Sequence, residues 1–232
     1  MKSAPSPSSQ IHPEITITAD DVDLYGELEI PSHAQGVVLF AHGSGSSRHS
    51  PRNQYVASVL REAGIGTLLF DLLTREEEEA DRYSGEFRFD VQLLAKRLIG
   101  ATFWLENQPQ VRGLKIGYFG SSTGGAAALM AASTQGDRIT TVVSRGGRPD
   151  LAGDSLPNVK CPTLLIVGGL DEIVIQLNEQ ALEQLQCEKE LRIVPGATHL
   201  FEEHGKLEEV AHISANWFRE HMEDPATQRS AS

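Results

Sequence analysis

KIGYFGSSTGGAAALMAA, residues 115–132, joins a short apolar run to an alanine-rich run through a turn of serines and glycines. The apolar run predicts a strand buried on both faces, and the alanine-rich run predicts a helix. Ser122 stands at the turn, with Gly120 and Gly124 two residues away on either side. Glycine leaves room where a Cβ would clash, so this spacing favours a sharp turn that exposes Ser122. Ser121 stands one position too early and fits the turn less well.

The other apolar runs predict the sheet around this turn. They are short, continuous and separated by segments with helical periodicity: GVVLFAHG, GIGTLLFDLL, TTVVSRGG, CPTLLIVGG and ELRIVPG. Such runs suit strands buried on both faces, and their alternation with helices predicts a doubly wound, mostly parallel sheet. The segment ITITADDVDLYGELEIP alternates apolar and polar residues around a DD turn, which predicts an antiparallel N-terminal edge. The predicted fold class is therefore α/β.

The chain of 232 residues shows no linker that would divide it. We predict one domain over residues 15–222, with flexible tails at residues 1–14 and 223–232. The segment between the apolar run TTVVSRGG and Cys161 is too short for a large cap domain. The acidic run REEEEADRYSGEFR, residues 75–88, is predicted to be a solvated loop, because neighbouring glutamates repel one another rather than converge on a metal ion.

Composition and charge argue against several classes of function. The formal net charge is −12, whereas nucleic-acid grooves and anionic membrane surfaces are bound by basic patches. No apolar run reaches the ~20 residues of a membrane span, and the N-terminus lacks the apolar core of a secretory signal. The two cysteines, Cys161 and Cys187, make neither a disulfide framework nor a metal cluster. A cytoplasmic location is the expectation.

Two later strand ends carry side chains that would activate Ser122. A serine hydroxyl needs a base to remove its proton and a third group to orient that base. Asp171 comes just after the run LLIVGG, and His199 follows the run LRIVPGAT. Singly, Asp171 is explained equally well as a helix cap and His199 as an ordinary loop histidine. The order Ser122, Asp171, His199 nevertheless matches nucleophile, acid and base on a doubly wound sheet. Asp150 is the less favoured acid, because its loop must turn back toward the sheet.

The loop His42-Gly43-Ser44-Gly45 follows the first of the buried runs. Acyl transfer requires N–H donors that face the oxyanion of the tetrahedral intermediate. We expect these donors at Thr123, directly after the nucleophile, and at Ser44. A plain glycine–serine turn is the alternative for this loop.

Several arginines are predicted near the same edge of the sheet. Two lie at or just after the end of the run TTVVSRGG and two follow the run GVVLFAHG, together with an asparagine: Arg145, Arg148, Arg48, Arg52 and Asn53. Arg48 and Arg145 are candidates to bind a carboxylate or phosphate of a substrate. The alternative for all of these arginines is pairing with the acids of the chain itself.

The motifs taken together resemble a known family. They are AHGSGSSRHSPRN, FDLLTREEE, GYFGSSTGG, SRGGRPDLAG, IVGGLDEIV and IVPGATHLFEE, and the resemblance runs from about residue 15 to residue 220. The chain resembles the dienelactone hydrolase-like branch of the α/β-hydrolase superfamily, above all its small serine-dependent members, some of which are fused to phosphoribosyltransferases. The resemblance implies a central eight-stranded sheet, a Ser122–Asp171–His199 triad and no metal or organic cofactor. Dienelactone hydrolases use cysteine at the turn, so Ser122 argues against dienelactone as the substrate.

The sequence predicts a serine hydrolase, specifically a carboxylesterase that cleaves small or medium acyl esters through an acyl-enzyme on Ser122. A thioesterase, a lactonase or a perhydrolase would use the same triad, because fold and triad do not select the acyl donor. A catalytically silent binding module is the alternative from another class, and an intact triad counts against it. The expected partner is a small-molecule ester, with neither nucleic acid nor membrane, and a homo-oligomer stays open.

Overall fold

Eight strands form a single sheet in the described chain. The structure is a computed structural model that describes residues 14–223, so nearly all of the two predicted tails, 1–14 and 223–232, lies outside the described residues. The strands are β1 (Ile15–Ala19), β2 (Val22–Glu29), β3 (Gly36–Ala41), β4 (Gly66–Phe70), β5 (Lys115–Ser121), β6 (Ile139–Arg145), β7 (Thr163–Gly168) and β8 (Lys189–Val194). Their order across the sheet is β1-β2-β4-β3-β5-β6-β7-β8.

The sheet combines an antiparallel edge with a parallel centre. β1 pairs with β2, and β2 with β4, in antiparallel register. All the pairs from β4 through β3 to β8 are parallel. Every residue of β3, β4 and β7 is buried, as continuous apolar strands require when both faces of a sheet are covered. The predicted doubly wound, mostly parallel sheet with eight strands and an antiparallel N-terminal edge is confirmed.

Helices cover both faces of this sheet. The α-helices are α1 (Pro51–Glu62), α2 (Arg75–Ser84), α3 (Glu86–Phe89), α4 (Val91–Glu106), α5 (Thr123–Gln135), α6 (Glu172–Gln184) and α7 (Lys206–Met222). α1 and α7 pack on one face, around Phe40 and Phe119. α4 and α5 pack on the other face, around Tyr118. The carboxyl ends of the parallel strands then meet at one edge between the two layers, where ligands of such sheets bind.

The acidic run after β4 is helical, so the predicted loop is wrong. α2 begins with a capping box, in which the Thr74 hydroxyl accepts the Glu77 N–H at 3.2 Å and the Glu77 carboxylate accepts the Thr74 N–H at 2.8 Å. Glutamates in the first turn also suit the positive end of the helix dipole. The buried Asp81 accepts the Phe87 N–H at 2.7 Å, which fixes α3 against the end of α2.

Only short elements stand above the carboxyl ends of the strands. A 3-10 helix, Pro149–Asn158, connects β6 to β7, and α2 and α3 connect β4 to α4. Within residues 14–223 no segment forms a separate cap domain, in agreement with the sequence prediction. None of the helices in this part of the chain is both long and apolar enough to cross a lipid bilayer.

Candidate active site

Ser122 occupies the sharp turn between β5 and α5. Its φ is 52° and its ψ is −122°, a conformation that residues other than glycine rarely adopt. The flanking glycines are required by close packing: a Cβ at Gly120 would lie 2.6 Å from the Cα of Gly125, and a Cβ at Gly124 would lie 2.6 Å from the carbonyl carbon of Ala41. The backbone therefore holds Ser122 in a strained position at the end of its strand, where its side chain projects from the sheet.

Neighbouring loops hold this turn in place. The Ser122 N–H donates to the carbonyl oxygen of Arg145 at 3.4 Å, and the Ser122 carbonyl accepts the Arg148 N–H at 3.1 Å and the Gly125 N–H at 3.0 Å. On the other side, a Cβ placed on Gly43 would lie 3.0 Å from the Cβ of Ser122. The loops after β3 and β6 thus meet at Ser122.

Asp171 and His199 are in direct contact. The Nδ1 atom of His199 lies 2.6 Å from Oδ2 of Asp171. An ionised carboxylate only accepts hydrogen bonds, so Nδ1 carries the proton and Nε2 is left as a proton acceptor. The two loops are packed together, since the Leu170 N–H donates to the Ala197 carbonyl at 2.9 Å. Asp171 therefore fixes both the tautomer and the ring of His199.

His199 and Ser122 approach the same stretch of backbone. A Cβ at Gly146, the residue after β6, would lie 3.6 Å from Cε1 of His199, and the carbonyl of the preceding Arg145 accepts the Ser122 N–H. Among the described residues, no hydrogen bond joins the Ser122 hydroxyl to His199. Such bonds are often long in a free enzyme and tighten when substrate binds.

Asp150, the alternative acid, is engaged elsewhere. Its two carboxylate oxygens accept from Nε and Nη2 of Arg148 at 2.9 Å and 2.8 Å. This bidentate pair raises the pKa of Arg148 and gives Asp150 a partner within its own loop. Of the two aspartates, only Asp171 contacts His199 in the described residues.

The two residues expected to bind an oxyanion are neighbours. The Ser44 N–H donates to Oγ1 of Thr123 at 3.0 Å. Thr123 is the first residue of α5, where backbone N–H groups have no intrahelical acceptor and the helix dipole is positive. An anion between these residues would share or replace the hydrogen bond of Ser44.

His42 orients the Ser44 loop, a role that sequence reasoning missed. Its Nε2 accepts the Leu72 N–H at 3.1 Å, and its Nδ1 lies 3.0 Å from the Gly43 carbonyl oxygen. The ring therefore ties the loop after β3 to the segment after β4. Burial lowers the pKa of His42, which keeps the imidazole neutral and able to accept. The only sequence signal was a histidine directly after a buried strand.

Protonation of His42 is expected to destabilise the fold. An unfolded histidine has a pKa of 6.5, and that of His42 is lower in the folded protein, so the unfolded chain binds the proton more readily. The contribution of neutral His42 is complete above that pH and is lost as the pH falls below it, by at most about 1.4 kcal/mol per pH unit. Between about pH 7 and pH 5, the melting temperature of the wild type should fall more steeply than that of His42→Gln, whose amide oxygen accepts without titrating. Equal slopes would contradict this role.

Arg48 and Arg145 have different surroundings. Arg48 forms ion pairs with Asp71 and Glu14, and its Nε lies 3.8 Å from Glu27. Its guanidinium is thus engaged with carboxylates of the protein itself. Arg145 is 6% exposed and has no partner for its side chain among residues 14–223.

A cavity of about 190 Å³ adjoins the Ser44 side of the turn. Its walls come from the loop after β3, from Leu73 and Leu94, and from charged side chains of α2 and α3. This volume is small beside the ~300–1,000 Å³ of ligand pockets in general. Such a space accommodates only a short substituent beside the Ser44 loop.

Comparisons with known proteins point to one family. The dienelactone hydrolase family matches residues 25–223. A crystal structure of dienelactone hydrolase from Anabaena variabilis is 58% identical, with a TM-score of 0.89 over 90% of this chain and 97% of that one. Two Mycobacterium tuberculosis proteins named as candidate phosphoribosyl transferases are 54% identical over 212 residues, which is 91% of this chain and 47% of theirs.

The chain therefore spans about half the length of these Mycobacterium relatives, at 47%. A Bradyrhizobium protein named as a 2-oxo-3-(5-oxofuran-2-ylidene)propanoate lactonase is 29% identical over 172 residues, 66% of this chain and 69% of that protein. The family match covers the β2–α7 segment that carries the Ser122 turn and the Asp171–His199 pair. The chain belongs to the dienelactone hydrolase family, within the α/β-hydrolase superfamily.

Proposed function

We propose that the protein is a serine hydrolase that cleaves small or medium ester bonds, with Ser122 as nucleophile, His199 as base and Asp171 as the acid that orients the base. The observation that carries this proposal is the 2.6 Å contact between His199 and Asp171 at the strand ends beside the Ser122 turn. Membership of a hydrolase family over residues 25–223 supports the same reaction class.

The reaction would proceed in two halves. Ser122 Oγ attacks the acyl carbon as its proton passes to Nε2 of His199, and the carbonyl π electrons move onto oxygen. When this intermediate collapses, the bond to the leaving oxygen breaks and that oxygen takes the proton from His199. A water then attacks the acyl-enzyme in the same way, which releases a carboxylic acid and returns the proton to Ser122.

Electrostatic groups would stabilise each charged species in these steps. Asp171 favours the imidazolium that forms on His199, because the carboxylate lies against Nδ1. The N–H groups of Thr123 and Ser44 would donate to the oxyanion, and the N-terminus of α5 adds its dipole. In the free protein the Ser44 N–H is held by the Thr123 hydroxyl, so this donor is already close to its working position.

A lactonase is the second candidate, favoured by one comparison. The Bradyrhizobium relative is named for lactone hydrolysis and aligns over 66% of this chain. A lactone is a cyclic ester, so the same attack would open its ring. Hydrolysis would then release a single hydroxy acid, because the acid and the alcohol belong to one molecule. Thioesterase and perhydrolase activities would use the same groups. The phosphoribosyl transferase name belongs to proteins of which this chain spans 47%, and the family matched over residues 25–223 is a hydrolase family.

Short acyl chains should be the preferred substrates. The cavity beside Ser44 is small, and no cap domain covers the strand ends within residues 14–223, so a long chain would remain in water. Each buried CH₂ contributes about 0.8 kcal/mol, and this gain stops where burial stops. We expect kcat/KM on 4-nitrophenyl esters to peak at acyl chains of roughly two to six carbons.

The control for this measurement is a matched series of γ- and δ-lactones and thioesters at the same concentrations. A higher kcat/KM on lactones than on open esters of equal size would favour the second candidate. A steady rise in kcat/KM to long-chain esters, or activation by a lipid surface, would contradict the small site. No turnover of any member of the three series would contradict the hydrolase itself.

A further inference from the structure

Arg145 is a buried cation without a counter-ion. It ends β6, is 6% exposed, and its Nε and Nη1 atoms are shielded from solvent with no hydrogen-bond partner among the described residues. Two other arginines, the buried Arg97 and the partly buried Arg48, differ in this respect. Arg97 lies 2.6 Å from a carboxylate oxygen of Glu77, and Arg48 is surrounded by acids. A buried charge in a folded protein is normally paired, because desolvation is otherwise expensive.

The Arg145 side chain also feels the charge of a second cation, Arg52. Burial, and to a smaller extent the positive charge of Arg52, together lower the pKa of Arg145 to about 10. A group with this pKa remains protonated at neutral pH, so the positive charge persists in the folded protein. Arg52 extends from the first turn of α1, and one of its nitrogens lies 3.1 Å from Glu202 while its Nε is buried without a partner.

The N-terminus of α1 adds further positive potential at this place. α1 has 12 residues, and its first turn brings Asn53 to 3.5 Å from the Ser121 hydroxyl. Ser121 is the residue that pairs with Arg145 across β5 and β6. The two arginine side chains and the N-terminus of α1 therefore lie together on the α1 side of the sheet.

We propose that Arg145 and Arg52 form a binding site for a compact oxyanion, a carboxylate or a phosphate. The site lies on the α1 side of the sheet, near the Ser122 turn. The Arg145 carbonyl accepts the Ser122 N–H, so the backbone that carries this arginine adjoins the Ser122 turn. An anion bound here would supply the missing counter-charge, and the planar guanidinium of Arg145 suits two-point contact with such groups. The anion is either free in solution or part of the substrate.

Thermal unfolding in inorganic phosphate tests the site without any need for turnover. At constant ionic strength, the melting temperature of the wild type should rise by about 3–5 °C at a phosphate concentration of about ten times Kd. Arg145→Met should lose this response and, in phosphate-free buffer, should melt at or above the wild type, because an uncompensated buried charge has been removed. Arg52→Gln, at a more exposed position, should weaken phosphate binding at least about tenfold.

Arg97→Gln is the matched control. It removes an equally buried arginine that has a carboxylate partner, so it should melt below the wild type and keep the full response to phosphate. Two outcomes would overturn the proposal. One is a phosphate response that is absent in the wild type or unchanged in Arg145→Met. The other is a loss of stability in phosphate-free Arg145→Met as large as that of Arg97→Gln.

The source of the anion is decided by three further probes on Ser122→Ala, which cannot turn them over. Acetate, monomethyl succinate and the neutral dimethyl succinate are compared by the same shift in melting temperature. Binding of monomethyl succinate more than about tenfold tighter than acetate, lost in the double variant with Arg145→Met, assigns the site to a substrate carboxylate. Equal binding of the two monoanions assigns it to a free anion. Binding of dimethyl succinate as tight as that of the monoanions would contradict an anion site.

Discussion

Ser122→Ala should lower kcat by about 10⁴ or more on any ester that the wild type cleaves. The substitution removes the atom that would form the acyl bond, and the remaining groups can only assist water. The fold should survive, since alanine is no larger than serine and the strained turn at φ 52° is enforced by close backbone packing rather than by the hydroxyl. A melting temperature within a few degrees of the wild type should accompany the loss of activity.

Covalent labelling identifies the residue independently of the substrate. A fluorophosphonate should add one adduct to the wild type, on the peptide that contains Ser122, and none to Ser122→Ala. Ser121→Ala is the matched control, because Ser121 is adjacent but its hydroxyl lies near Asn53 on the far side of the turn. It should keep both the label and most of the activity. An active Ser122→Ala beside an inactive Ser121→Ala would place the nucleophile one residue earlier.

Asp171→Asn should lower kcat by about 10⁴, the loss expected when a catalytic histidine is held in the wrong tautomer. The carboxylate lies 2.6 Å from Nδ1 of His199 and accepts its proton. An asparagine whose amide donates to Nδ1 would leave the proton on Nε2, so the base would have no free lone pair toward Ser122. Stability should change little, because the Asp171 side chain does not cap α6.

Asp150→Asn is the matched control for this position. Asp150 is the neighbouring candidate acid on the same edge of the sheet, and its carboxylate pairs with Arg148, which is 39% exposed. Exposed ion pairs contribute about 0–1 kcal/mol, so this variant should keep its activity on the ester that Asp171→Asn fails to cleave. A severe loss confined to Asp150→Asn would reverse the assignment of the two acids.

The strands and the Ser122 turn could be predicted because their signals are local. Apolar runs buried on both faces have no polar residues to interrupt them, and a strained turn needs glycines at fixed offsets. The order of Ser122, Asp171 and His199 along the chain then follows from the winding of the sheet. The helix at residues 75–84 was also local, since Thr74 and Glu77 form a capping box, and its signal was overlooked in favour of charge repulsion.

The arginines show what sequence alone does not provide. Arg48 pairs with Asp71 and Glu14, which lie after β4 and before β1. These residues are far apart in the sequence, so no local pattern predicts the ion pairs. Arg145 is distinguished by a missing partner, and such a lack is visible only when all the neighbours are known. His42 likewise acquires its acceptor role from Leu72, on a different strand end. Side-chain contacts of this kind depend on the tertiary structure, which brings together residues that are far apart in the sequence.

The packing of Gly120 and Gly124 fixes the position of residue 122 independently of the side-chain atom that this residue carries. The turn is fixed by contacts of backbone with backbone, at Gly125 and Ala41, and none of these contacts involves the Ser122 hydroxyl. Evolution can therefore exchange oxygen for sulfur at this position without rebuilding the scaffold beneath it. Serine at this turn, where the resemblance implies cysteine in other members of the family, therefore requires no change of fold.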